Sequence, residues 1–531
     1  MSVSVMKKAL FRNIIYGLLL LLVVVAEVLT VLAVKKLNML PDAYMAVFIG
    51  VLALFALIIG LMLFVKGKKP GKVRRVIACV LAVLITCGCF VLRTVALDVI
   101  DTLHLSSQDT LDITTREIYV LSNDPAVDLA DARDYTFGYI KDYDVDCTTQ
   151  VLNEIQSQVG KEVTTAGYTD ITAMAEAFLN HKVDAMIMNG GVIEILEEIG
   201  GFDNISSQIK ILAQIRVMET NNASVAIPEQ NTDKETDRPE NDDRQEAAKT
   251  EPAEELKDYS DLKPFAVYIS GSDSRNKKLV TNSRSDVNIL AVVNPMTKQV
   301  LLINTPRDYY IPNWAGGGAL DKLTHCGVYG INCSIKTLEN LYGVDISHYA
   351  KINFTGFEKL IDALGGVTVH SDYEFMAFGS TPIKKGENQL NGEQALDFAR
   401  ERKRVPYGDI DRGRNQMKVI AAVIEKATSG TTIINNYTDI MDSLEGMFEM
   451  DIPVELIGEL MKMQLSEMPR WNVVSYSTTG AGTDAYCYSA PGVVLSVVYP
   501  NYDTVDNASR MINMVLDGEI LTEEVVSGII N

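Results

Sequence analysis

Four short motifs in the C-terminal half of the chain carry arginine in order: Arg284-Ser-Asp286, Pro306-Arg307-Asp308, Arg400-Glu-Arg402 and Arg412-Gly-Arg414-Asn-Gln416. Arginine is no base, but its planar fork of donors matches pairs of phosphate oxygens. Each motif lies at the edge of an apolar run, and Asp273 and Asp286 lie close by in the sequence. One or two carboxylates completed by substrate phosphate are the usual way of holding Mg²⁺. These residue types together point to a site for a multiply charged phosphate, a pyrophosphate above all, with Mg²⁺ or Mn²⁺ as the cation. Asp also caps turns, and arginines beside Glu401, Asp409 and Asp411 also form surface ion pairs. Arg400, Arg402, Arg412, Arg414 and Gln416 within seventeen residues set the phosphate reading ahead of both.

No nucleophile–base pair accompanies them. His325, His348 and His370 stand beside no serine or cysteine motif, and His325 either lines the site or packs in the core. Phosphoryl transfer needs neither, because it runs on positioning and charge neutralisation. An aspartate suffices to accept the proton of an attacking hydroxyl.

The elements that must position these residues alternate. Residues 265–269, 287–293 and 300–303 read as strands, with a turn at Asn294-Pro295. Residues 331–342, 357–364, 394–402 and 415–427 have helical spacing, and Gly365-Gly366 reads as a C-cap. Arg400 and Arg402, like Arg412 and Arg414, share a face only in extended chain. Pro406 and Gly408 lie between the two pairs, so at least one pair is expected beside an irregular turn. Strands alternating with helices imply a layered α/β domain with its polar residues at strand ends, here residues 264–531. A smaller α/β module is expected at 112–227, with a strand at 117–121, helices at 150–159 and 171–180 and a strand at 183–188. Residues 171–188 resemble one lobe of a solute-binding protein, although a module for spacing or assembly is the preferred reading. Between the two, 228–263 is rich in Glu, Asp, Lys, Gln and Pro and reads as a solvated linker.

The first 100 residues hold three apolar stretches, 14–34, 43–65 and 76–97, each near the length of about 20 residues that crosses a bilayer as a helix. Lys7, Lys8 and Arg12 precede the first, and Lys66, Lys68, Lys69, Lys72, Arg74 and Arg75 crowd the loop before the third. The positive-inside rule makes these flanks cytoplasmic and everything after the third span extracellular. Lys35 and Lys36 are the minority on the outer side. Glu27, inside the first span, is either functional or neutral in a helix contact. The net charge of −21 excludes a general nucleic-acid binder. Of seven cysteines, Cys147, Cys326, Cys333 and Cys487 lie outside the spans, and nothing in their spacing forces a Cys326–Cys333 bridge.

The order of Gly271-Ser-Asp273-Ser-Arg275, Arg284-Ser-Asp286, Thr305-Pro-Arg307-Asp308, Lys322-Leu-Thr-His325, Asp362-Ala-Leu-Gly-Gly366, Leu390-Asn-Gly-Glu-Gln-Ala-Leu396, Arg400-Glu-Arg402 and Asp411-Arg-Gly-Arg-Asn-Gln416 resembles the LytR-CpsA-Psr family. Three spans and an accessory domain resemble its capsule-associated branch. The resemblance implies a phosphotransferase that moves a glycopolymer, wall teichoic acid or capsular polysaccharide, from a polyprenyl-pyrophosphate carrier to a muramic-acid hydroxyl of peptidoglycan. It also implies an apolar lipid tunnel inside the domain. Asp273 and Asp286 would hold Mg²⁺. Arg284, Arg307, Arg400, Arg402, Arg412, Arg414 and Gln416 would hold the pyrophosphate, with Asp286, Arg307 and Arg402 the catalytic set. Asn415 stands where many members carry arginine, a role Arg414 is placed to take over. A polyprenyl-pyrophosphate hydrolase and a non-catalytic envelope sensor are the competing readings. The accessory domain would offer a surface for envelope-assembly partners.

Overall fold

The computed structural model describes residues 3–65, 72–106, 113–141, 145–218, 262–272, 279, 282–429, 440, 444 and 446–530. The linker at 228–263 lies outside them but for its last two residues, and Asp273 lies outside them as well.

Three helices open the chain, α1 (Val3–Leu37), α2 (Asp42–Phe64) and α3 (Lys72–Ser106). Each contains a stretch long and apolar enough to cross a membrane, at Phe11–Leu37, Asp42–Phe64 and Lys72–Val99. In their contact Val23, Ile59, Leu63, Ala78 and Ala82 are buried together. Thr30 Oγ1 donates to the Cys89 carbonyl at 2.9 Å, so its hydroxyl turns to a neighbouring helix rather than to hydrocarbon. Glu27 is also buried, and its Oε1 has no hydrogen-bond partner among the described residues.

The accessory domain is a five-stranded sheet. Its strands are β1 (Ile113–Leu121), β2 (Thr136–Ile140), β3 (Thr164–Tyr168), β4 (Ala185–Met188) and β5 (Ile209–Met218), in the order β3-β2-β4-β1-β5. Helices α4 (Val145–Val159), α5 (Ile171–Leu179) and α6 (Gly190–Glu198) complete it. Asp170 starts α5 by accepting from the Ala173 amide at 2.7 Å, and Asn189 starts α6 by accepting from the Gly191 amide at 3.0 Å.

The second domain is built on a six-stranded sheet. In chain order its strands are β6 (Phe265–Ser272), β7 (Val287–Asn294), β8 (Gln299–Asn304), β9 (His348–Asn353), β10 (Phe448–Met450) and β11 (Asn472–Ser477), arranged β10-β9-β6-β7-β8-β11. The helices that matter here are α7 (Ile331–Tyr342), α8 (Phe354–Ala363), α9 (Gly392–Arg400), α10 (Asp409–Thr428), α11 (Val454–Glu467) and α12 (Tyr502–Leu516). Side chains alternate along the strands with a period of two. Phe265, Val267, Ile289, Ala291, Val300 and Leu302 fall on one face, with Met417 and Ile420 of α10 against them. Ala266, Tyr268, Leu290, Val292, Leu301 and Ile303 fall on the other, against α7 and α12.

That second face is where the accessory domain sits. Ile193 and Leu196 of α6 belong to the same continuous core as Val328, Tyr329 and Leu338. Asn189 Nδ2 donates to the Val328 carbonyl. A Cβ on Gly191 would meet Val328 Cγ2 at 2.8 Å, so glycine permits this close approach. The module is therefore part of one packed body and not a spacer.

The C-terminal end of α1 and the later turns of α3 are docked as well. Met39, Val99 and Met450 are buried together, with Val454, Ile457 and Met461 of α11 around them. Lys462 Nζ of α11 donates to Asn38 Oδ1 at 2.7 Å. Both large domains thus sit at the end of the helices opposite Arg12, Arg74 and Arg75.

A shared core predicts shared unfolding. A fragment of residues 113–531 should melt in one transition, whereas a fragment of residues 262–531 should melt several degrees lower or aggregate, since each kcal/mol lost moves the midpoint by about 2–4 °C. Scanning calorimetry reads this, and equal midpoints would show that the two domains are energetically independent.

Candidate active site at the mouth of an apolar cavity

β6, β7 and β8 are successive antiparallel neighbours, and β9 runs parallel to β6. This order brings the end of β6, the start of β7 and the ends of β8 and β9 to one edge of the sheet. Asp286 immediately precedes β7, and its amide donates to the Gly271 carbonyl at 2.8 Å. Arg307 follows β8, and its Nη1 donates to Asp286 Oδ1 at 2.5 Å. Arg307 Nε lies 3.6 Å from Asp308 Oδ2.

The other arginines come from two helix ends. α9 starts with a capping box between Asn391 and Gln394 and ends at Arg400. The Arg400 guanidinium lies 4.2 Å from the centre of the Phe354 ring and 5.4 Å from that of Phe378, a geometry that stabilises a cation away from water. Glu401 is 2% exposed. Its carboxylate accepts from the amides of Phe378, Lys403 and Arg404 and from Arg404 Nη1 at 3.1 Å. Burial raises its pKa, but these donors outweigh burial and hold it below the ordinary carboxylate value. Glu401 is thus the pin of the loop that presents Arg402, and its ion pair with the half-exposed Arg404 belongs to the same loop.

α10 begins at Asp409, six residues before the expected start, so Arg412 and Arg414 both lie on a helix. Two helical positions are about 200° apart, and the pair diverges. Arg412 turns inward with its side chain 13% exposed and Nη1 3.2 Å from Asp409. Arg414 turns outward with its side chain 48% exposed and Nη1 3.3 Å from Asp411. Burial lowers the pKa of Arg412; Asp409 opposes that and the nearby Arg307 adds to it. Its Nε has no hydrogen-bond partner among the described residues. A Cβ on Gly413 would fall 2.1 Å from Asn304 Nδ2, so glycine lets α10 close on the end of β8 and brings Arg412 beside Arg307.

These groups ring a cavity of about 650 Å³. Asp286, Arg307, Arg400, Arg402, Lys403, Arg404, Arg412 and Gln416 line its polar part. Its apolar part lies between the sheet, through Ile269, Ala350 and Ile352, and the helices, through Phe357, Leu360, Leu396, Ile420 and Val423. An anionic group fits the first part and a hydrocarbon chain the second.

Two expected phosphate ligands are not on the cavity. Arg284 instead faces the accessory domain, its amide and Nε both donating to Glu194 Oε2 at 3.2 Å. Arg414 is held by Asp411 and does not take over the place of Asn415. His325 is fully buried against Asp321 at 2.7 Å, away from the cavity. Cys326 and Cys333 are buried free thiols. Burial and the neighbouring Cys333 push the Cys326 thiol well up, so it is no nucleophile. Sequence reasoning missed Lys403, Arg404, the Phe354 and Phe378 rings and the role of Glu401. The aromatic signal was present in the sequence, but it reads as ordinary core spacing.

The model of the LytR_cpsA_psr family matches residues 225–493. The chain belongs to this family. The polyisoprenyl-teichoic acid–peptidoglycan teichoic acid transferase TagU of Enterococcus faecalis is 35% identical over 190 residues, 36% of this chain and 62% of that protein. Its namesake in Bacillus mycoides is 32% identical over 204 residues, 38% of this chain and 65% of that protein. The chain thus spans a little under two thirds of the length of these curated relatives. Among solved structures, TagT bound to LIIa-WTA gives a TM-score of 0.40 at 25% identity, over 48% of this chain and 91% of that one.

In this LytR_cpsA_psr member the described residues offer a cation one carboxylate at the cavity, Asp286, since the Glu401 carboxylate is occupied by its loop. No group of three or more His, Cys, Asp or Glu side chains forms a metal cage among the described residues. That donor set fits Mg²⁺ only when phosphate oxygens of a substrate complete it.

The split between Arg412 and Arg414 is directly testable. Arg412→Ala should weaken binding of inorganic pyrophosphate about tenfold or more, because a charge-assisted hydrogen bond is worth roughly 1.5–3 kcal/mol. Arg414→Ala should leave it within about twofold, as loss of an exposed ion pair does. Titration calorimetry on the full-length chain measures both, and equal losses would put Arg414 at the site.

Proposed function

We propose that this chain is a membrane-anchored phosphotransferase that moves a glycopolymer from a polyprenyl-pyrophosphate carrier to a muramic-acid hydroxyl of peptidoglycan. The observation that carries the reading is the two-part cavity: guanidinium groups at its mouth, of which Arg307 and Arg412 are largely covered, an aromatic and aliphatic interior, and a seat on the outer ends of two apolar helices. The names of the relatives favour teichoic acid as the polymer. The basic segments 7–12 and 66–75 favour a cytoplasmic N-terminus at the cell membrane, with both large domains outside.

The pyrophosphate lies among Arg307, Arg400, Arg402 and Arg412, with Gln416 beside them. The acceptor oxygen forms a bond to the phosphorus that carries the glycan. The bond from that phosphorus to the bridging oxygen breaks, and its electron pair leaves with polyprenyl phosphate. The acceptor proton passes to a carboxylate, for which Asp286 is the group on the cavity not already saturated by donors from its own loop. The arginine forks neutralise charge on the leaving phosphate, and the preset dipoles and charges need no reorganisation as the bond breaks. Asp286 would hold Mg²⁺ together with phosphate oxygens, with Asp273 the second carboxylate implied by the sequence motif, and the ion would supply further neutralisation of that charge. The apolar interior excludes water from the departing oxygen and so favours transfer over hydrolysis.

The test supplies the full-length chain with a polyprenyl-pyrophosphate-linked glycan, a peptidoglycan oligomer and Mg²⁺, and looks for the phosphodiester conjugate by mass spectrometry. The expected result is a metal-dependent conjugate that is lost in Asp286→Ala, Arg307→Ala and Arg402→Ala while the melting temperature is kept. Polyprenyl phosphate released without conjugate would make the chain a hydrolase. Tight lipid binding without turnover would make it a carrier or sensor.

A further inference from the structure

The membrane helices touch the cavity wall. Ala350 on β9 and Phe448 on β10 line the apolar part of the cavity. The same two side chains pack against the cluster formed by Met39, Val99 and Met450, as do Leu37 and Val95. Leu37 ends α1, Met39 follows it, and Val95 and Val99 lie in the outer part of α3. The wall of the cavity and the outer ends of two membrane helices therefore share one apolar cluster.

That cluster is soft. Met39, Met450 and, on α11, Met461 belong to this one cluster, and methionine is the apolar side chain that adapts most readily to a changing shape. Cavities of roughly 300–1,000 Å³ enclose a drug-sized ligand. A volume of about 650 Å³ shared with the pyrophosphate leaves no room for the whole of a long prenyl chain. The remainder must lie against other apolar surface, because exposing it to water is unfavourable in proportion to its area. The Met39–Val99–Met450 cluster adjoins the cavity at Ala350 and Phe448 and leads to the membrane helices.

We propose that the outer ends of α1 and α3 form, with Met450, the apolar passage through which a long prenyl tail reaches the cavity from the bilayer. The anchor is then a component of the lipid site as well as a tether. The inference rests on the prenyl-carrier reading above and adds the route and the residues that line it.

The experiment compares two substrates with the same pyrophosphate-linked glycan, one on a long polyprenyl chain embedded in vesicles and one on a water-soluble farnesyl chain. The full-length protein is reconstituted unaltered, as Met39→Trp and as Val99→Trp, with melting temperatures checked. The bulkier side chains should lower kcat/KM for the embedded substrate about tenfold while the farnesyl substrate keeps its rate. A photoreactive group at the end of the long tail should label residues 37–40 and 95–99 of the unaltered protein. Equal rates for all three proteins on the embedded substrate, parallel loss on both substrates, or labelling confined to other segments would overturn the passage. No turnover of either substrate by the unaltered protein would instead overturn the transferase reading beneath it.

Discussion

Guanidinium groups cannot shed their charge, and here several are drawn towards the mouth of an apolar cavity, where hydration is poor. Most of the local architecture answers that one constraint. Arg307 leans on Asp286 and Asp308, Arg412 on Asp409, and Arg400 on the faces of Phe354 and Phe378. Glu401 gives its carboxylate to the loop that carries Arg402. The compensation is incomplete, since Arg412 remains shifted by burial and has a nitrogen without a partner among the described residues. A dianionic or trianionic head group would complete it, and the proposed affinity for pyrophosphate rests on that unfinished part of the fold's own electrostatics.

A single sheet serves two purposes through its two faces. The period of two along β6, β7 and β8 sends one set of side chains to the cavity side and the other to the core shared with the accessory domain. The three residues that lead into β7, Arg284 to Asp286, are held from both sides. Asp286 points to Arg307 at the cavity, while two residues earlier Arg284 is fixed by Glu194 of α6. The accessory domain therefore bears directly on the segment that carries the acidic residue of the site. Its role is read more naturally from that contact than from any ligand of its own.

The parts of this arrangement that were legible in the sequence are those set by local pattern. Alternating apolar residues placed β6, β7 and β8, and α7 occupies the same residues, 331–342, that its spacing implied. The start of α10 was hidden because Pro406 and Gly408 precede it and its first turns are almost wholly polar. Asp409 and Asp411 in the first turn, favourable to the positive end of a helix, were the overlooked sign. That early start is what separates Arg412 from Arg414. Arg284 went astray for a different reason: its partner lies 90 residues away in another domain, and no local pattern records such a pairing. The apolar wall of the cavity was illegible in itself, because Phe357, Leu360, Ile420 and Val423 have the spacing of any buried helix face. The expectation of a tunnel came from family resemblance and not from those residues.

On the function proposed above, one cavity holds an anionic head and a hydrocarbon tail at once. A structure of the full-length protein with a non-hydrolysable polyprenyl pyrophosphonate would show whether it does. The two phosphorus atoms should lie among Arg307, Arg402 and Arg412, with the first prenyl units between Phe357, Leu360, Ile420 and Phe448. A head group bound elsewhere, or a tail lying outside the cavity while the head is bound at the arginines, would contradict it.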